Sequence, residues 1–127
     1  MLTKNQEKLV KSLGEKKNRN ELGLFLVEGE KSVAEVLNSN FEIDFLLVTD
    51  GFFEKYKDII EKNNPRYEIV EQDKIEKLGT LLSNDSAIAI VKQDSKSAPK
   101  IENNEIIIAL DTIQDPGNLG TIIRIAD

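Results

Sequence analysis

Apolar residues along the chain change their spacing several times, and each change marks an element. Leu2, Leu9, Val10 and Leu13, with Gln6 among them, fall near one face of a helix. Thr3 and Gln6 have the spacing of a capping box, and Gly14 can end that helix. Residues 24–27 read as a short buried strand, and Gly29 precedes a helix over about 31–37 whose inner face is Val33, Val36 and Leu37. The cycle then repeats. Residues 43–48 form a strand, Thr49, Asp50 and Gly51 lead into a helix carrying Phe52, Phe53, Tyr56, Ile59 and Ile60, and Asn63, Asn64 and Pro65 end it. Phe52, Phe53 and Tyr56 share a helical phase that suits core packing more than base stacking, with one of the two Phe rings near the edge. Residues 67–70 form the next strand, and Asp73 is placed to cap a helix through Ile75, Leu78 and Leu82. Residues 87–91, AIAIV, have the unbroken apolar character of a strand buried on both faces.

Strands that alternate with helical patterns predict right-handed βαβ crossovers and an α/β fold, its sheet covered by helices. Residues 92–104, KQDSKSAPKIENN, are polar, contain Pro99 and lack periodicity, which is linker composition. Beyond them the pattern predicts one strand over 106–110 and a helix running to Asp127. Such a strand needs neighbours on its edges and cover on its faces, and only a short helix follows it. The expectation is therefore a first domain at 1–92, a linker at 93–104, and the truncated start of a second domain at 105–127. The competing reading has 106–110 join the first domain's own sheet.

Composition narrows the chemistry. The chain has 127 residues, 39% hydrophobic and 31% charged, with seven Gly and three Pro, so neither a collagen-like nor a low-complexity chain is in question. No apolar run approaches the roughly 18 residues of a membrane span, and Met1 opens onto a polar stretch, which gives a cytoplasmic expectation with no membrane partner. With no Cys and no His, disulfides, zinc sites and Ser-His-Asp or Cys-His mechanisms are excluded, and no metal is expected. Chemistry must run on carboxylates, amides, hydroxyls, Lys, Tyr or Arg. The net charge of -6 would count against nucleic acid, yet the first twenty residues carry Lys4, Lys8, Lys11, Lys16, Lys17 and Arg19 against only Glu7 and Glu15. Either this is a phosphate-seeking arm on an acidic body, or it is a solvated amphipathic helix. Glu28, Gly29 and Glu30 form a further candidate edge, although Gly29 also suits a tight strand-to-helix turn and Glu30 a helix start.

The segment richest in chemistry is 109–127. Asp115, Pro116, Gly117 and Asn118 carry a turn signal, with Asn118 as helix N-cap. Leu119, Ile122, Ile123 and Ala126 follow at the spacing of one buried stripe. Arg124 leans toward the helix start, over Gly120, so its guanidinium and the free N–H groups there suit a phosphate or ribose oxygen. The alternative is a capped turn with Arg124 solvated or paired to Asp127 or Asp111.

Residues 110–127, LDTIQDPGNLGTIIRIAD, look very much like the first signature motif of the SpoU (TrmH) family of RNA ribose 2'-O-methyltransferases, members of the knotted SPOUT superfamily. The upstream part is similar to that family's N-terminal substrate-binding domain through Arg19, LFLVEG at 24–29, Lys31 and LSNDSAIAIV at 82–91. The resemblance implies a ribosomal-protein-like α/β/α sandwich domain followed by the first strand and helix of a knotted SPOUT methyltransferase domain. It implies an RNA substrate, ribosomal more than transfer RNA, with Lys8, Lys11, Lys16, Lys17 and Arg19 as RNA contacts. It also implies S-adenosylmethionine bound by motifs beyond residue 127, a homodimer, and Arg124 and Asn118 as catalytic residues. A guanidinium stays protonated, so for Arg124 positioning and electrostatic stabilisation come before proton abstraction. A fragment of this kind is expected to be inactive alone. A non-catalytic RNA or ribonucleoprotein binding module is the second reading. A small-ligand or phosphate-binding α/β protein is a third, which lacks a GxGxxG fingerprint or a Walker-type Lys.

Overall fold

A computed structural model describes residues 2–81, 84, 86–94, 102 and 104–127. Contacts divide the chain into two compact units, Met1–Ser95 and Lys96–Asp127. In the first, the elements run α1 (Lys4–Ser12), α2 (Lys16–Leu22), β1 (Leu24–Glu28), α3 (Glu30–Leu37), β2 (Ile43–Val48), α4 (Asp50–Asn63), β3 (Tyr67–Ile69), α5 (Gln72–Leu78) and β4 (Ala87–Lys92). The sheet order is β1-β4-β2-β3. β4 is antiparallel to both β1 and β2, while β2 and β3 are parallel. The fold is mixed α/β: β2, α4 and β3 make a βαβ unit of adjacent strands, whereas β1 and β2 point the same way with β4 inserted between them.

Alternate residues of β4 enter two cores. Ala87, Ala89 and Val91 join Val33 and Leu37 of α3 and Phe52 and Ile60 of α4. Ile88 and Ile90 join Val10 of α1, Leu13, and Ile75 and Leu78 of α5. Helices therefore cover the strand on both faces, which explains its unbroken apolar run. β1 departs from the expected buried strand, since all five of its residues are half-buried: it has a partner on one edge only.

β2 holds an irregularity that alternation does not predict. Ile43 faces Val91 and Phe45 faces Ile90, so Asp44 is an extra residue, a β-bulge. Without it Ile43 and Phe45 would share a face; instead Ile43 packs against the α3/α4 core and Phe45 belongs to the α1/α5 core.

Local signals account for several helix ends. The Thr3 side chain accepts from the Gln6 N–H at 3.3 Å, and the Gln6 side chain accepts from the Thr3 N–H at 2.8 Å, completing the capping box. Thr49 caps α4, accepting from the Phe52 N–H at 3.4 Å. Asp73 is not the cap of α5: the N-cap is Glu71, which offers no side-chain cap, and Asp73 lies in the first turn, where it pairs with Lys77 at 2.7 Å. That helix ends at Leu78, and Leu82 lies outside the described residues. Most of the 93–104 linker likewise lies outside them.

In the second unit, 106–110 is not a strand. No ladder includes it, so neither the expected second-domain strand nor a fifth strand of the first sheet is formed, and Ile106 is 92% exposed. Strand geometry survives in water only when its N–H and C=O groups find a partner edge, and none is offered among the described residues. The unit's helix is α6 (Pro116–Ala126).

Candidate functional site

Two places hold the candidate residues. On α1, Lys4, Lys8 and Lys11 recur at i, i+4 and i+7, on the side of the helix away from buried Val10 and Leu13. Lys16 and Lys17 stand exposed in the first turn of α2. Glu7, the one acid on α1, turns to α5, where its carboxylate meets Lys74 at 2.5 Å. The hydrogen bond from Lys74 outweighs desolvation and holds that carboxyl below its ordinary range.

The α2 helix has no counterpart in the apolar pattern, because KKNRNEL is polar apart from the exposed Leu22 and buries no residue. Its support is the end of α1. Asn18 Nδ2 donates to the Ser12 carbonyl at 2.9 Å, and Arg19 Nη1 donates to the carbonyls of Leu13 at 3.0 Å and Gly14 at 2.8 Å. Carbonyls left open at one helix end are thus filled by the first turns of the next. Gly23 then closes α2 in the left-handed conformation, φ 64°. An Asn-Arg pair six residues past a helix end was the available signal. Arg19 is accordingly a half-buried brace, whereas Lys8, Lys11, Lys16 and Lys17 extend into solvent, Lys17 at 3.9 Å from Glu21.

Beside this corner, a cavity of about 350 Å³ is lined by residues that include Arg19, Phe25, Glu28 and Thr80. Glu28 is consumed internally: it accepts from the Thr80 N–H at 2.8 Å and from the Thr80 hydroxyl. A Cβ on Gly79 would lie 2.5 Å from the Glu28 carboxylate, so the close approach needs glycine there. Gly29 adopts φ 89° and makes the tight strand-to-helix turn. Glu30 receives Lys55 at 2.5 Å and the Tyr56 hydroxyl at 3.0 Å, which keeps its carboxyl below the ordinary range. Phe52 is buried, whereas Phe53 is the edge member of the pair and stacks on Tyr67 with ring centroids 5.2 Å apart.

In the second unit the N-cap is Asp115, not Asn118. Asp115 accepts from the Asn118 N–H at 2.7 Å, and Pro116 occupies the first helical turn. Proline has no N–H to leave unsatisfied and its fixed φ suits a helix start, so the expected turn is already helix. Asn118 thereby becomes the third helical residue. Arg124 lies two turns on, exposed, with no ion pair among the described residues. The stripe of Leu119, Ile122 and Ile123 is present but not buried, since α6 buries no residue. Ligands of cofactor size bind in enclosed apolar slots. An open run and one exposed helix do not fit S-adenosylmethionine by themselves. Among the described residues there is no metal-holding cluster, and no helix is long and apolar enough to cross a membrane.

Residues 4–89 match the MRM3-like substrate binding domain. The chain belongs to that family. It is 31% identical over 117 residues to the 23S rRNA (guanosine(2553)-2'-O)-methyltransferase RlmP of Bacillus subtilis (strain 168), covering 92% of this chain and 45% of the relative. A TrmH-family protein from Porphyromonas gingivalis superposes with a TM-score of 0.80 at 29% identity, over 100% of this chain and 49% of that one. An rRNA methyltransferase from Sinorhizobium meliloti gives 0.75 at 30% identity, over 100% and 49%. Its AdoMet-bound form gives 0.74 at 28% identity, over 99% and 48%. The chain is thus homologous to TrmH/SpoU-family RNA methyltransferases and spans about half the length of the relatives it matches.

Proposed function

We propose that the chain is the N-terminal portion of a ribosomal RNA ribose 2'-O-methyltransferase that uses S-adenosylmethionine. One observation carries the reading: the likeness to a 23S rRNA 2'-O-methyltransferase runs over 92% of this chain, through both of its units. In this reading 1–92 is an RNA substrate-binding domain of ribosomal-protein-like α/β/α sandwich form, 93–104 a linker, and 105–127 the start of the methyltransferase domain. The partner is rRNA, the setting cytoplasmic, and the whole protein a homodimer.

The lysine stripe gives the first domain its chemistry. Phosphate binding releases condensed counterions, so each lysine that meets the backbone steepens the fall of affinity with salt. Lys8, Lys11, Lys16 and Lys17 supply those contacts, and Arg19 holds the corner that presents them. Arg124 positions the target ribose and its phosphate, with Asn118 ordering the first turn below it.

Binding of the chain to a fragment of 23S rRNA, followed against salt, tests the first part. Lys8→Gln and Lys11→Gln are each expected to reduce the salt slope by about one unit. Affinity indifferent to salt overturns the reading. For the second part, Arg124→Lys is placed in the whole enzyme, where undiminished turnover discards the role of Arg124.

A further inference from the structure

A second cavity, of about 480 Å³, opens at the other end of the first unit's sheet from Glu28, between the loop that follows α3, the end of α4 and Lys92. That volume lies in the range of small-molecule sites. Its rim carries Phe41, whose ring is held edge to face against Phe25 at 5.9 Å and is still 46% exposed. Two ion pairs line it: Glu42 with Lys92 at 2.5 Å and Asp44 with Arg66 at 3.1 Å. Asn40 and Asn64 also line it, and Asn64 holds φ 47°.

The pairing makes the cavity electrically neutral, unlike the α1–α2 lysines. Neutral, polar and rimmed by an aromatic ring, it suits an uncharged heteroaromatic ring with donors and acceptors on its edge, and not a phosphate. The backbone here is also irregular. Asp44 is the bulged residue of β2, and the bulge takes it out of the core alternation and sets its carboxylate against Arg66 in the cavity. Bulges recur where a side chain is re-aimed at a site. The Glu42 hydrogen bond raises the Lys92 ammonium above its ordinary pKa.

We propose that this cavity holds one unstacked nucleobase of a bound RNA, its ring laid on Phe41 and its edge read by Asp44, Asn40 and Asn64. The inference rests on the RNA-binding reading above and adds a base contact to the backbone contacts of the lysines. The two sets of contacts differ in kind: lysines hold phosphates of any sequence, while the cavity distinguishes single strands from duplex.

The test uses the 127-residue chain, a fluorescent single-stranded RNA oligonucleotide and its duplex. Phe41→Leu is expected to bind the single strand about tenfold more weakly with an unchanged salt slope, to bind duplex as the parent does, and to be rescued by Phe41→Tyr. Asn64→Gly preserves the left-handed backbone while deleting the amide, and is expected to flatten the preference among the four homopolymers. Phe41→Leu binding the single strand as tightly as the parent overturns the proposal alone. A parent chain that binds no RNA at low salt removes the RNA reading and the proposal with it. Nucleoside monophosphates titrated against the amide resonances of Asn40 and Asn64 separate the sources of the ring: free nucleotide bound as tightly as RNA overturns an RNA-held base.

Discussion

Residues 87–91, AIAIV, and 106–110, IIIAL, are five-residue apolar runs of almost the same character, and they end in opposite states. The first is fully buried as the core of β4, with a neighbour on each edge and helices on each face. The second pairs with nothing among the described residues, and every one of its side chains is exposed. The exposed run, with three Ile and a Leu, is the more apolar of the two, so hydrophobicity is not what makes the strand. Edges and cover are, because an apolar run must still place its backbone N–H and C=O groups somewhere.

The largest effect should come from trimming the two runs alike. Ile88→Ala removes a fully buried side chain and is expected to cost about 2–5 kcal/mol in urea unfolding, whereas Ile107→Ala is expected to stay within about 0.5 kcal/mol. Equal losses would mean that 106–110 is packed after all. Next comes the entry to β4. The buried Asn84 amide donates to the Ala87 carbonyl at 3.0 Å and accepts from the Ala87 N–H at 3.4 Å. Asn84→Ala removes that acceptor from the buried Ala87 N–H and leaves the Ala87 carbonyl with the Gly29 N–H at 3.1 Å, and should cost about 1–3 kcal/mol by the same measurement. Removing cover indirectly is milder: Thr3→Ala unmakes the capping box of α1, which lies over Ile88 and Ile90, and should cost about 1 kcal/mol.

The smallest effect concerns the brace between α3 and α4 on the other face. Glu30 has its carboxyl depressed chiefly by the Lys55 hydrogen bond, so its contribution is complete above its ordinary value of 4.5 and fades as pH falls through the depressed folded value. Lys55 is raised by the same bond, so its share is complete below 10.5 and fades as pH rises through the higher folded value. Glu30→Gln should flatten the dependence of Tm on pH at both ends of that window, and an unaltered profile would show the brace to be idle.

The sequence made the helices and strands of the first unit readable wherever burial imposed a period. Val33 with Leu37 and Phe52 with Ile60 mark inner faces that the structure keeps. It hid what burial does not govern. The α2 helix hangs on hydrogen bonds from Asn18 and Arg19, and the bulge at Asp44 depends on a partner strand far along the chain. At α6 the apolar spacing was right and its interpretation was not, because periodicity says which side chains share a face and nothing about what covers it. Among the candidate residues, the lysines stand in solvent as their surroundings in the sequence imply, while Arg19 turns out to be engaged by carbonyls that only folding brings near.

The place of β4 has a consequence for how the molecule is made. It is the last strand of the first unit to be synthesised and yet one of the two interior strands of the sheet, and β1 joins the sheet through it. A growing polypeptide leaving the ribosome therefore holds β1 without a strand partner until Lys92 has cleared the exit tunnel. Assembly then has to proceed in one late, long-range step.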